Sequence, residues 1–431
     1  MLDVAAADEL LVAVITTDEG RQDPYSIYAQ LRAESPRWTS GVGSTVLATY
    51  RDSMEVLRNP KLGRVEPDMP QQASISGNSR PQREDTSVML FLNPPDHTRI
   101  RGLVSRAFTP KRVEKLRPRL EAMLTPILDD LALDGGGDVM ETLAVPFPVA
   151  VISELLGVPP TESDEIAPYV HDAARLIDAA ADDEVIARGE AATERLGEYF
   201  VELAQRKQSA PDDGLFSALI QVESEGDRLS EEELIANTIL LYAAGFETTS
   251  NLIGNGLRLL LANPDELSRL RATPSLMGSA IWEMLRHDSP VQLNVRAVLE
   301  ETDVLGGTVP RGTSYIVLQG SGNHDESVYE DPSRFDIARF DESRPEGPAP
   351  TPLSFGWGAH HCLGAHLARA EGEIVFSGLL ERFADIELDT TALPKPPPAP
   401  AGPNDLLPEL RYRPSFTLRG LDALPVAVSA G

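Results

Sequence analysis

Residues 230 to 264 constrain this chain of 431 residues more than any other stretch. They read SEEELIANTILLYAAGFETTSNLIGNGLRLLLANP. Ser230, followed three residues later by Glu233, forms a capping box, in which each side chain accepts from the other's free backbone N–H. The apolar pattern then runs to Ala262 and meets Asn263-Pro264, a stop signal. The spacing predicts one helix of about 32 residues, roughly 48 Å long at 1.5 Å per residue. A helix that is apolar on most sides is buried. A buried helix of this length crosses the whole core of a large unit, so residues 1–431 are expected to form a single domain.

Helical patterns also cover 22–34, 51–58, 97–106, 111–132, 147–156, 190–207, 264–271, 275–287 and 364–383. Strand-like runs are short and few, at 45–49, 294–299 and 314–318. The expected fold class is mainly α with a small β part. Two proline-rich segments, 344–352 and 394–403, read as surface loops. The polar stretch 61–95 has weak patterning and reads as an irregular loop or a lid. No repeat of fixed period occurs.

A hydrophobic content of 42% supplies a sizeable core, yet no apolar run approaches the length of a membrane span. The N-terminal apolar patch, Leu10 to Ile15, follows acids rather than a basic segment, which fits neither a secretory signal nor an anchor. One cysteine excludes an intrachain disulfide and fits a reducing compartment, so the expected location is cytoplasmic, with no membrane partner. A net charge of −29 argues against nucleic acid as a partner. Against that background, residues 99 to 119 hold eight Arg or Lys and one acid, Glu114. Such a stripe is either a docking site for anionic groups or a solvated face with ion pairs.

The single cysteine, Cys362, lies in FGWGAHHCLG, residues 355 to 364. A lone cysteine is ordinarily a small buried hydrophobe. Here Gly356, Gly358 and Gly364 surround it, and glycines let a backbone turn tightly and approach a flat partner closely. Backbone N–H groups of the loop and the start of the helix after Cys362 would favour a thiolate. Such a thiolate could be a nucleophile or a metal ligand. A zinc site needs three or four ligands, and His360, His361 and His366 make a poor set. A cysteine protease needs a separate histidine and an orienting group, to which nothing points. A fifth ligand to haem iron needs one cysteine only.

FGWGAHHCLG resembles the haem-binding signature of the cytochrome P450 family. Three further motifs stand in that family's order: AGFETT at 244–249, EMLR at 283–286 and FDIAR at 335–339. The similarity spans nearly the whole chain, from PPDHTRIR at 94–101 to RPSFTLRGLDALPV at 413–426. It implies the cytochrome P450 fold, with haem b between the long central helix and the helix after the cysteine loop. It implies Cys362 as the thiolate ligand to iron, with Phe355, Gly356 and Gly364 shaping its loop. His97, Arg101, Arg296 and His360 match the family's contacts to the haem propionates. Ala244 and Gly245 match positions beside the haem, and Thr248 and Glu247 match the pair that handles protons for dioxygen, the cosubstrate. Thr248 would otherwise simply bond to a carbonyl one turn back and bend the helix. Glu283, Arg286 and Arg339 match a structural network on the proximal side.

The activity implied is insertion of one oxygen atom from dioxygen into a C–H or C=C bond, by hydroxylation or epoxidation. Alternatives left open are oxidative coupling, peroxide-driven chemistry and a haem-thiolate protein that binds ligand without turnover. No reductase domain follows the last motif, so ferredoxin and ferredoxin reductase are the implied electron donors, docking at Arg106, Lys111, Arg112 and Lys115. Substrate contacts are expected from Val65, Met69, Ile75, Met89, Leu176, Ile177, Leu293, Val295 and Phe416, which suit an apolar small molecule of secondary metabolism such as a polyketide. The departures from the family pattern are the proline-rich insertions and GSGNHDESVYEDP at 320–332.

Overall fold

A computed structural model describes residues 2–69, 87–178, 182–222, 227–393, 407 and 410–430. Its helices are α1 (Val4–Thr16), α2 (Asp18–Gln22), α3 (Pro24–Glu34), α4 (Tyr50–Arg58), α5 (Asp96–Ala107), α6 (Pro110–Asp134), α7 (Pro146–Leu156), α8 (Pro160–Ala174), α9 (Asp183–Ser209), α10 (Leu215–Gln221), α11 (Glu231–Ala262), α12 (Pro264–Ala272), α13 (Met277–His287), α14 (Gln319–Gly322) and α15 (Ala365–Arg382). Its strands are β1 (Arg37–Thr39), β2 (Thr45–Leu47), β3 (Leu62–Gly63), β4 (Gly136–Asp138), β5 (Leu293–Val298), β6 (Thr302–Val304), β7 (Gly307–Val309), β8 (Ser314–Leu318), β9 (Phe383–Leu388) and β10 (Pro425–Ala430).

The central helix starts and stops where its caps predict, with the Ser230–Glu233 capping box formed in both directions. It packs against α7, α8, α9, α13 and α15. The main apolar core closes around it and draws on residues from Met89 to Val426. Truncating one of its buried leucines, such as Leu257, would cost about 2–5 kcal/mol.

Two contacts fix how α11 meets α15. A Cβ on Gly256 would stand 2.7 Å from Phe376 Cζ, and a Cβ on Gly372 would stand 3.4 Å from Leu252 Cδ2. The pairs ascend together, 252 with 372 and 256 with 376, so the two helices run in the same sense. Their N-terminal ends therefore share one side of the contact. AGFETT and Cys362 both lie on that side.

The larger sheet has the order β1-β2-β8-β5-β3. The three strands expected from sequence are β2, β8 and β5, its centre. Val46 faces Ile316 in a parallel pair, and Val295 faces Ile316 in an antiparallel one. This sheet joins α1 and α3 in a second core that includes Leu11, Tyr28, Val46, Leu293, Ile316 and Phe416.

Five helices lie outside the sequence expectation: α1, α2, α8, α10 and α14. Helix α8 opens on Pro160 and carries Pro168 inside, which weakens a helical pattern. Packing on α9 and α11 overrides that preference. The proline-rich segment 344–352 is a surface loop held by tyrosines: Tyr329 Oη donates to Pro350 O and Tyr50 Oη to Thr351 O. The segment 394–403 and residues 70–86 of the expected lid, with Ile75, lie outside the described residues.

Candidate active site

The cysteine loop is closed by its own backbone. The Cys362 N–H donates to Phe355 O at 2.9 Å, and the Phe355 ring meets Trp282 edge to face. Gly356 and Gly358 have φ of 63° and 74°, a region that disfavours a Cβ. Gly358 also lies against α4, where a Cβ would stand 2.3 Å from Leu57 O. The N–H groups of Gly364 and Ala365 donate toward the Cys362 sulfur.

Burial nonetheless pushes the Cys362 thiol above its usual range, and those donors together with Arg101 offset only part of the effect. The loop donors thus act toward the thiolate, as the sequence leads one to expect, but burial outweighs them. A coordinated metal cation would deprotonate the sulfur outright. Protein surrounds the sulfur on most sides, yet the residue keeps solvent-accessible surface.

Beside the loop the chain gathers arginine and histidine side chains. His97 and Arg101 stand on α5, Arg296 on β5 and His360 two residues before the cysteine. The rings of His97 and His360 are 4.2 Å apart. Arg64, just after β3, completes the group and was not expected from the sequence. Its Nη1 donates to Asn294 Oδ1 and Val295 O, the same two acceptors that Arg296 uses. Burial and the neighbouring arginines lower His97 to about 4 and His360 to about 2. Burial lowers Arg64 to about 10, and burial with Arg64 lowers Arg296 well below its usual range.

No carboxylate among the described residues offsets these shifts. Both ring nitrogens of His97, His360 Nε2, Arg64 Nε and an Arg296 terminal nitrogen are buried without a partner. Buried donors left unpaired are costly, so a group of this kind is built around an anion. Two carboxylates on a flat cofactor that also reaches Cys362 fit it. Arg101 is spent differently: one terminal N–H donates to His361 O at 2.5 Å.

On α11 the Thr248 hydroxyl donates to Ala244 O at 2.8 Å, and the Thr249 hydroxyl donates to Gly245 O at 2.9 Å. Both are bonds one turn back along the helix. Gly245 turns toward α7, where a Cβ would stand 3.3 Å from Ile152 Cδ1, so its missing side chain serves helix packing. Glu247 is buried and pairs with Arg413 at 2.9 Å. That partner was also not foreseen, since no local pattern links the two positions.

The network around Glu283 is present and fully buried. Glu283 accepts from Arg286 at 2.7 and 2.8 Å and from Arg339 Nε at 3.1 Å. Arg286 also donates to Asn323 O and Pro332 O, tying the segment 320–332 to α13. Of the expected substrate contacts, Met89 lies in the main core, Leu293 and Phe416 lie in the second core, and Val295 packs against it. Val65 is exposed.

A family model described as Cytochrome P450 matches residues 172–273 and 275–413. The chain is 38% identical over 413 residues to a vitamin D(3) 25-hydroxylase of Pseudonocardia autotrophica, covering 94% of each. It is 32% identical to the polyketide biosynthesis cytochrome P450 PksS of Bacillus subtilis, covering 95% of this chain and 97% of that one. Among solved structures it resembles P450BioI in complex with a fatty-acyl-ligated acyl carrier protein, with TM-score 0.80, 31% identity, and coverage of 98% and 100%.

Proposed function

The chain belongs to the cytochrome P450 family and is a monooxygenase, and on that premise we propose that it hydroxylates or epoxidises a largely apolar small molecule of secondary metabolism. The observation that carries the reading is the uncompensated cationic cluster beside an open, glycine-framed Cys362. In this reading Cys362 ligates the iron of haem b. Arg64, His97, Arg296 and His360 surround the propionates, Arg101 adds positive charge beside them while bonded to His361 O, and Phe355, Gly356 and Gly364 hold the loop. When bound, the haem activates dioxygen, so that one oxygen atom enters the substrate and the other leaves as water. Thr248 and Glu247 supply the protons, with the Thr248 hydroxyl held in place by Ala244 O. Ala244 and Gly245 carry no side chain beyond a methyl, which keeps this stretch of α11 narrow.

Ferredoxin and ferredoxin reductase are the proposed electron donors, meeting the basic residues of α5 and α6. The cytoplasm is the proposed location, supported by the single cysteine. No single helix among the described residues is long and apolar enough to cross a membrane. One domain over 1–431 is supported by a main core that spans most of the chain. PksS is named for polyketide biosynthesis, which supports a polyketide as substrate. The acyl carrier protein bound to P450BioI favours a second reading, a substrate tethered to a carrier.

The test is a ferric absorption titration of the holoenzyme with polyketides, terpenoids, fatty acids, small peptides and a carrier-tethered acyl chain. A saturable low-to-high-spin change with one class supports the reading and names the substrate. Cys362→Ala should abolish the thiolate-type spectrum; if that spectrum survives, the ligand assignment is wrong.

A further inference from the structure

We propose that Trp282 and Arg369 form a positioning pair that fixes a positive charge behind the cysteine loop and so raises the reduction potential of the haem held by Cys362. The proposal rests on the reading of Cys362 as the ligand to haem iron. Trp282 stands on α13 immediately before Glu283, and Phe340 immediately follows Arg339. The Glu283–Arg339 pair brings these two neighbours together, with ring centroids 6.4 Å apart. Trp282 therefore sits on a backbone pinned by a fully buried carboxylate. Its indole also meets the Phe355 ring edge to face, at 5.6 Å and 80°. Phe355 is the residue whose carbonyl accepts the Cys362 N–H. Over the indole lies Arg369, with its guanidinium carbon 4.7 Å from the ring centre. The row Arg369, Trp282, Phe355 thus ends on the backbone of the cysteine loop.

Arg369 is held on the indole rather than left to solvent. Its Nε is buried and has no hydrogen-bond partner among the described residues, a cost that a free surface arginine avoids by turning to water. The indole face supplies the attraction that offsets this cost, since tryptophan is the best aromatic partner for a cation. Glu373 lies 4.0 Å from Arg369 but pairs at 3.0 Å with Arg117, so it neutralises the Arg369 charge only in part. Arg369 stands one turn along α15 from Ala365, whose backbone N–H donates toward the Cys362 sulfur. The step it acts on is one-electron reduction of the iron, ferric to ferrous, in which the separate donor protein loses the electron. No bond forms or breaks, and no proton moves. Reduction adds one negative charge to the site, so a fixed cation close by favours the reduced state. The effect is stronger at a partly buried position than in water, because the dielectric is lower. Trp282 contributes no charge and acts by holding the guanidinium in place.

The test is an anaerobic redox titration of the holoenzyme against dyes of known potential, with the spectrum of the ferrous carbon monoxide complex recorded for each variant. Arg369→Met should shift the ferric–ferrous equilibrium by roughly two- to tenfold toward ferric iron, and Arg369→Lys should restore most of the parent potential. Trp282→Leu should shift it the same way. The double variant should fall no further than the larger single one, because both changes release the same charge. Trp282→Phe keeps a ring for both neighbours and should give a smaller fall; it replaces Trp282→Leu if that variant is not recovered with haem. Every variant should keep the thiolate-type carbon monoxide spectrum, which a collapsed loop would lose. A parent potential in Arg369→Met overturns the proposal, and so do shifts from Trp282 and Arg369 that simply add. If the parent itself lacks the thiolate-type spectrum, the reading of Cys362 fails and the proposal falls with it. If that spectrum is present and the potentials do not move, the reading of Cys362 stands and the pair alone is wrong.

Discussion

The imidazole rings of His97 and His360 lie 4.2 Å apart with their planes 38° from each other. One ring comes from α5 and the other from the cysteine loop. Burial and the arginines around them hold both far below the usual histidine range. At neutral pH both are therefore uncharged donors, and the positive charge of the cluster resides on Arg64, Arg101 and Arg296. Neutral rings can approach this closely, whereas two imidazolium ions would repel.

Arg64 is expected to stabilise bound haem and destabilise the empty fold. A charge-assisted hydrogen bond contributes about 1.5–3 kcal/mol, so Arg64→Met should speed haem transfer to apomyoglobin by roughly 10- to 100-fold. The same change should raise the urea midpoint of the apoprotein, because it removes a buried cation. Unchanged haem loss would remove Arg64 from the site.

Glu283 supports two buried guanidiniums at once. Glu283→Ala leaves Arg286 and Arg339 without their carboxylate, and breaking a buried pair costs about 3–5 kcal/mol. The expected result is a sharp fall in yield and in urea midpoint. A near-neutral midpoint would mean that the backbone carbonyls around Arg286 suffice.

Stability should decline on mild acidification. Burial, with Arg286 beside it, lowers His287 to about 4, below the ordinary value near 6.5. Between those values the unfolded chain binds the proton and the folded chain does not. The contribution is thus full above about pH 6.5 and falls as pH drops toward 4. By pH 5 the loss from this residue is on the order of 2 kcal/mol. His287→Gln should show a smaller difference in urea midpoint between pH 7 and pH 5 than the parent. An equal difference would assign the decline to other groups.

The basic residues of α5 and α6 should govern electron entry. Arg106→Glu with Arg112→Glu is expected to slow reduction by ferredoxin by roughly tenfold at low salt, with the gap closing as salt rises. Reduction at the parent rate at low salt would place docking elsewhere.

What the sequence determined by itself was everything set by short-range chemistry. The bounds of α11 follow from Ser230, Glu233 and the Asn263-Pro264 stop, all within a few residues of the helix ends. The cysteine loop follows from glycines whose φ values no other residue adopts easily. Glu283 and Arg286 pair because they stand one turn apart. The tertiary structure decided the rest, because its partners come from distant segments. Asp288 accepts from Tyr25, Tyr412, Arg419 and Arg258, which sit on α3, the C-terminal segment and α11. Burial pushes its carboxyl up, but the two arginines outweigh that and hold it well below the usual range. Arg64 joins Arg296 only because β3 pairs with β5, and Arg413 reaches Glu247 only because the C-terminal segment folds back along α11. A long-range ion pair leaves no periodic trace in one chain, since neither residue's neighbours encode the other's position.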